Sequence, residues 1–339
     1  MIRNVAIDAG SGRTKATDGD QQFNFPSLTA NFTQVLFVTG MESDDDPTAH
    51  LVLEYEENRW FVGAAAAKQG IAQRTVDRER AVNEEGRLLT LAALGLLAED
   101  EKEQYNLVTG LPVSHYSGLQ ERFVEAMKRS HEYSFVSITG RSKKEFMANV
   151  RDIRVIPQPI GTLMDCVLDD KGKIVNPDLA KQNIGIIDVG YFTADIVRAD
   201  SMEFIGQSST SYPLGLFNAY TELSEGFNNT FGIEATPEAL ESVMETGKIV
   251  IRGKAHDVSE LRDHALEVAA KQIVSRVKTL WSKTGWQIDK VIITGGGGSV
   301  LYDHLDKAFE GNTELAKDPF YANVNGYMKL AYKTWNEEF

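Results

Sequence analysis

A triphosphate carrying a divalent cation asks three things of a chain: backbone N–H groups that can come close to phosphate oxygens, a cationic side chain, and carboxylates for the hydrated metal. Asp8, Gly10, Ser11, Gly12 and Lys15 supply all three in one short stretch. The glycines admit an oxygen where a Cβ would block it, and Lys15 can project back across the turn. Taken alone, a glycine-rich hairpin with an aspartate is most often only a turn. Asp188, Gly190 and Thr193 change that reading, because the pattern of apolar run, acid, spacer and glycine returns 180 residues after Asp8. A repeat of this kind suggests two lobes built on one plan, each presenting a carboxylate hairpin. Two carboxylates aimed at one ligand repel unless a cation sits between them; a coincidental pair of turns is the alternative.

A third stretch, Gly295 to Gly298, follows the apolar run Lys290–Thr294, and Ser299 offers an N-cap for a helix over Ser299–Leu305. Backbone amides and a helix start meet ligands in such a place, and a chain without Cβ atoms lets a flat base or ribose lie against it. The chain has no G-x-x-x-x-G-K-[ST] loop, and Gly10-x-Gly12 lacks the third glycine of a dinucleotide fingerprint. Gln158 stands between Pro157 and Pro159. A carboxamide there can orient a water toward a γ-phosphate, or serve only as a structural hydrogen bond. The six histidines show no ligand spacing and read as surface or helix-end residues, and Cys166 reads as a small buried hydrophobe.

Positioning these residues requires an α/β architecture. Val5–Ile7 reads as a buried strand and Arg13–Thr17 as its antiparallel return. Residues 26–78 read as a small inserted subdomain with strands near Leu51–Tyr55 and Arg59–Val62 and a solvated acidic loop at Asp44, Asp45 and Asp46. Helices are expected over Glu79–Ala98 and Tyr116–His131, separated by a parallel-type strand over Tyr105–Pro112. Arg154–Pro159 leads into a helix over Ile160–Val167, and strands follow at Ile184–Asp188, through Ile196–Val197, and at Met202–Ser208. The remaining expectations are helices at Pro213–Leu223, Val258–Ser282 and Val324–Trp335. Residues 1–157, with an insertion over about 27–78 and completion by 320–339, are expected as the first lobe; 158–319, with a small subdomain over about 228–257, as the second.

Composition narrows the partners. The chain has 339 residues, 42% hydrophobic and 25% charged, an ordinary globular balance for two lobes. Its 35 basic and 49 acidic side chains give a net charge of −14, which repels a phosphate backbone, so direct nucleic-acid binding is not expected. One cysteine excludes an intrachain disulfide framework and fits a reducing cytoplasm. No apolar run reaches the roughly 20 residues that span a bilayer, so no membrane partner is expected.

Asp8-x-Gly10-Ser11 with Lys15, Ile187-Asp188-x-Gly190-x-x-Thr193-x-Asp195, and Ile293 to Gly297 occur in that order. Together they resemble the phosphate-one, phosphate-two and adenosine motifs of the actin, sugar-kinase and heat-shock-ATPase superfamily. The opening motif and Thr109–Pro112 resemble most the bacterial and archaeal actin-like proteins, specifically the plasmid-segregating ParM group. The resemblance spans the chain from Val5 to the last helix. It implies a two-lobed actin-like ATPase fold of duplicated ribonuclease-H-like domains with a nucleotide cleft between them. It implies ATP, with GTP as the alternative, and Mg²⁺ near Asp8 and Asp188. Phosphates would be bound by Gly10, Ser11, Gly12, Lys15, Gly190 and Thr193, and adenosine by Gly295, Gly296 and Gly297. Asp188 and Gln158 would be the catalytic pair. The position of Gln158 is often glutamate in ParM relatives and glutamine in actin, so the resemblance implies water positioning there. It further implies self-assembly into filaments and a small DNA-binding adaptor that carries the contact to DNA. A sugar kinase of the same superfamily and an ATP-holding adaptor that does not cycle are the competing readings.

Overall fold

The computed structural model describes residues 2–32, 46–69, 77, 79–283 and 287–336. The chain divides into two units, Met1–Lys181 with Tyr321–Phe339, and Gln182–Phe320. Asp44 and Asp45 of the acidic loop lie outside the described residues.

In the first unit, β1 (Ile2–Ala9) and β2 (Arg13–Thr17) form the opening hairpin and β3 (Gln22–Pro26) extends it. The segment β4 (Thr29–Asn31), β5 (Val52–Tyr55), β6 (Asn58–Val62) and α1 (Ala64–Gln69) follows. Next comes α2 (Glu84–Leu97), started by Asn83, whose side chain accepts the Gly86 N–H. The unit continues with β7 (Lys102–Leu111), α3 (Tyr116–Met127), β8 (Ser130–Val136), β9 (Lys143–Pro157) and α4 (Gln158–Val167). All nine strands join one sheet in the order β3-β2-β1-β7-β9-β8-β5-β6-β4. The inserted subdomain therefore extends the main sheet through β8 and β5. The helix expected to reach His131 ends at Met127, because Ser130–Tyr133 alternates exposed and buried, with His131 and Tyr133 on one face, the two-residue period of a strand.

The second unit opens with β10 (Asn183–Val189) and β11 (Ala194–Asp200), then β12 (Glu203–Phe204), β13 (Thr210–Tyr212) and α5 (Leu216–Phe231). A small α/β piece follows: α6 (Pro237–Thr246), β14 (Lys248–Ile251) and β15 (Lys254–Asp257). The long α7 (Ser259–Ser282), β16 (Lys290–Thr294), α8 (Gly296–Ala308) and β17 (Thr313–Leu315) complete it, and α9 (Ala322–Trp335) returns to the first unit. The strand expected over Met202–Ser208 is cut short, since Gly206–Ser208 forms a 3₁₀ turn before β13 pairs with β11. The helix expected from Pro213 starts at Leu216, where the Asn218 side chain accepts the Gly215 N–H.

The sheets repeat one plan. The order β3-β2-β1-β7-β9 in one unit matches β12-β11-β10-β16-β17 in the other, with antiparallel pairing on the hairpin side and parallel pairing beyond it. Buried parallel strands read as unbroken apolar runs, and Val5–Ile7 and Ile184–Ile187 do so. Leu88, Leu91 and Leu94 of α2 pack against the first sheet, and Ile273, Val277 and Trp281 of α7 against the second. Residues 158–181, expected with the second lobe, fall in the first unit. There α4 packs on α9, with Thr162 Oγ1 donating to Asn323 Oδ1 at 2.8 Å. Among the described residues no helix is long and apolar enough to cross a membrane.

Candidate functional site

Three adjacent parallel strands of the first unit end together, and ligands of open α/β sheets sit beyond such carboxyl ends. Asp8 lies near the end of β1, Gly110 near the end of β7, and Gln158 follows directly on β9. The register pairs Ile7 with Thr109, Thr109 with Val155, and Leu111 with Pro157. That alignment brings Gln158 to Asp8: Nε2 donates to Asp8 Oδ1 at 3.0 Å. A carboxylate only accepts, so the amide must present its nitrogen to Asp8 and keeps its carbonyl oxygen for another donor. Lys15 stands opposite Asp8 in the hairpin, with Nζ 3.3 Å from Oδ2. Asp8 and Gln158 are both buried.

The seat of Gln158 is built by Gly110, within the Thr109–Pro112 stretch, and by Tyr327 and Gly326 of α9, which no motif contains. An alanine Cβ at Gly110 would lie 1.9 Å from Tyr327 Oη and 2.8 Å from Gln158 Cγ, so the strand must be bare there. The Tyr327 hydroxyl donates to the Gln158 carbonyl at 3.1 Å, fixing the start of α4 from α9. The two helices touch main chain to main chain: a Cβ at Gly326 would lie 1.7 Å from Gly161 O. The glycine of Thr109–Pro112 was a usable signal; the spacing of Gly326 and Tyr327 on a helix carries none.

In the second unit, Asp188 and Asp195 face each other across β10 and β11, the register held by Asp8 and Lys15 in the first. Both are buried, and the Ser211 hydroxyl donates to Asp195 Oδ1. Buried acids directly opposite each other oppose the fold unless a proton or cation intervenes. The turn is tied by the Gly190 N–H, which donates to Thr193 O at 2.8 Å. Gly295 and Gly297 press against this turn. Cβ atoms there would lie 2.4 Å from Asp188 Oδ1 and 2.9 Å from Gly190 O, and Gly295 holds φ +84°, a conformation that favours glycine. Helix α8 accordingly begins at Gly296, with Gly295 as its N-cap, and the N-cap expected at Ser299 lies inside the helix. The glycine run is thus the first helical turn, and close packing on the Asp188 hairpin already demands two of its members.

Two side residues depart from expectation. His131 is a buried strand residue whose Nδ1 lies 3.3 Å from Tyr55 Oη and Nε2 3.1 Å from Met127 O. Cys166 is only half-buried. Among the described residues no three of His, Cys, Asp and Glu gather as a metal site.

Two family models match the chain: the N-terminal domain of actin-like proteins over residues 6–161, and the C-terminal domain of the archaeal MreB-like actin homologue over residues 186–307. The chain belongs to the actin-like proteins. The first match takes in the Asp8 hairpin and Gln158, the second the Asp188 hairpin and the glycine run. This actin-like protein is 24% identical over 342 residues to an archaeal actin homolog of Thermoplasma volcanium, covering 97% of the chain and 99% of the relative. It is similar to ParM of Clostridium botulinum, solved as a 15-stranded filament, with TM-score 0.78 and 27% identity over 98% of this chain and 99% of that one. It shares the fold of an archaeal actin homolog in complex with ADP, at TM-score 0.78 and 19% identity over 98% and 100% of the two chains. ParM filaments and archaeal actin homologs are the group its motifs resemble.

Proposed function

We propose that this actin-like protein is an ATPase that takes Mg²⁺-ATP with both carboxylate hairpins serving one nucleotide, and that it polymerises into filaments whose turnover follows hydrolysis. The observation that carries this reading is the duplicated hairpin, in which Asp8 and Lys15, and Asp188 and Asp195, hold the same cross-strand register. The archaeal homolog crystallised with ADP supports a nucleotide of this kind.

The residues fit a magnesium ion. Mg²⁺ keeps several waters and binds through one or two carboxylates together with substrate phosphates, so it needs no dedicated cluster of protein ligands. Asp8 meets Gln158 Nε2 on one oxygen and Lys15 Nζ on the other, with lone pairs to spare, and the facing acids Asp188 and Asp195 gain from a cation. Asp8 and Asp188 would hold the ion, which when bound offsets phosphate charge. Lys15, with three donors, can serve Asp8 and a β- or γ-phosphate oxygen together. Gly10, Ser11, Gly12 and Thr193 offer the phosphates their N–H groups and the Thr193 hydroxyl, while Gly190, its own N–H spent on Thr193 O, leaves the turn bare for a phosphate to approach. Gly295, Gly296 and Gly297 lie against adenosine. Gln158, its nitrogen spent on Asp8, turns its carbonyl oxygen to a water and orients it, and Asp188 helps to activate that water.

Assembly is the second half of the proposal. The Clostridium botulinum relative forms filaments, and a head-to-tail contact that does not close gives a filament. A chain of net charge −14 suits a division of labour in which a basic adaptor meets DNA, as in plasmid segregation. Light scattering and pelleting with ATP, run beside released phosphate and beside Asp188→Ala, test it. Nucleotide-dependent polymer with free phosphate supports the reading. No polymer at any concentration with ATP or GTP contradicts assembly, and phosphate recovered on a sugar contradicts the ATPase.

A further inference from the structure

Just ahead of α2, Arg80 points its guanidinium at the turn of the first hairpin. Nη2 donates to Ala9 O at 2.8 Å and to Gly10 O at 2.7 Å. The side chain is only 11% exposed, and Nη1 lies 3.5 Å from Glu85 Oε1, an ion pair without a hydrogen bond. The backbone of Arg80 is pinned as well, since Gly86 N–H donates to Arg80 O at 3.1 Å, and the neighbouring Glu79 is paired with Arg122 at 2.8 Å.

A trans peptide is planar, with its C=O and N–H pointing opposite ways. Carbonyls of Ala9 and Gly10 held on the guanidinium therefore turn the N–H groups of Gly10 and Ser11 to the other side. The second hairpin solves the same problem by other means. There Gly190 O accepts the Leu216 N–H at 3.1 Å and Tyr191 O the Phe217 N–H at 2.8 Å, both from the first turn of α5. Gly10 and Gly190 are equivalent in the repeat, so at that shared carbonyl the guanidinium of Arg80 stands in the first unit where a helix start stands in the second.

We propose that Arg80 is a positioning residue for phosphate binding: by gripping Ala9 O and Gly10 O it aims the Gly10 and Ser11 N–H groups at the phosphates of the nucleotide. The proposal rests on the nucleotide reading above and adds a residue that none of the three motifs contains.

The experiment measures Mg²⁺-ATP and AMP affinity for the native chain, Arg80→Lys and Arg80→Ala, with folding followed by circular dichroism. Lysine keeps the buried charge but cannot fork to two carbonyls, so it carries the test even if the alanine variant fails to fold. Loss of one hydrogen bond from a charged group predicts ATP affinity about tenfold weaker or more in Arg80→Lys, with AMP changed by less than about twofold. Guanidinium ion at sub-denaturing concentration should restore part of the ATP affinity of Arg80→Ala, where sodium at equal ionic strength does not. ATP affinity within twofold of native in the variants, or ATP and AMP falling in proportion, overturns the proposal while native binding leaves the nucleotide reading standing. A native chain that binds no ATP removes both.

Discussion

Replacing Gly326 by alanine should unseat Gln158 from a distance. The new methyl would lie 1.7 Å from Gly161 O, 2.5 Å from Gly161 C and 2.8 Å from Asp165 N, all main-chain atoms that cannot swing away. Ordinary contact is about 3.5 Å, so the facing backbones must part by roughly 1.8 Å. Overpacking of this kind costs about 1–3 kcal/mol and at times more, while alanine returns about 1 kcal/mol of helix propensity. A net loss of about 1–2 kcal/mol is expected, because the clash is with fixed main chain, or roughly 2–8 °C in Tm for a unit of this size. Because α4 begins at Gln158, the displacement also loosens its bond to Asp8 and should weaken nucleotide binding. Gly118 in α3 is the control: nothing lies within 4 Å of a Cβ there, so Gly118→Ala should gain up to about 1 kcal/mol. Urea titrations of the two variants make the comparison. If Gly326→Ala is as stable as the native chain, or both alanines cost the same, the close crossing of α4 and α9 is wrong.

Two further outcomes follow from the same geometry. Tyr327→Phe removes the donor to the buried Gln158 carbonyl and should cost about 1–2 kcal/mol in urea unfolding; no loss means the carbonyl is otherwise served. His131 should titrate below its ordinary value of 6.5, because burial, with the Arg129 and Arg87 charges beside it, outweighs the Met127 carbonyl. Its folded pKa is lowered, so its contribution to stability is present above the unfolded value and is lost as pH falls toward the folded one. A ring resonance titrating by NMR at or above 6.5 would refute this.

Much of this was legible in the amino-acid order, because the signals were local. The apolar strand, acid and glycine of each hairpin lie within ten residues of one another, and the register between Asp188 and Asp195 follows once the turn is placed. Long-range contacts were not legible. Tyr327 reaches Gln158 from 169 residues away, and nothing in the helical spacing of α9 marks that partner. Arg80 falls inside the helix expected over Glu79–Ala98, whereas α2 starts at Glu84 and leaves Arg80 in the preceding turn, off the helix. The glycine run misled in a different way: a string of glycines reads as a loop, yet Gly296, Gly297 and Gly298 open α8, and glycine is required at 295 and 297 because the neighbouring turn leaves no room for a Cβ.

The most direct measurement is calorimetric titration of Mg²⁺-ATP into the native chain, Asp8→Asn and Asp188→Asn. One nucleotide per chain is expected, with each substitution, made in a different unit, weakening that single binding event. No heat with the native protein, two independent sites, or an affinity untouched by either substitution would contradict a shared nucleotide.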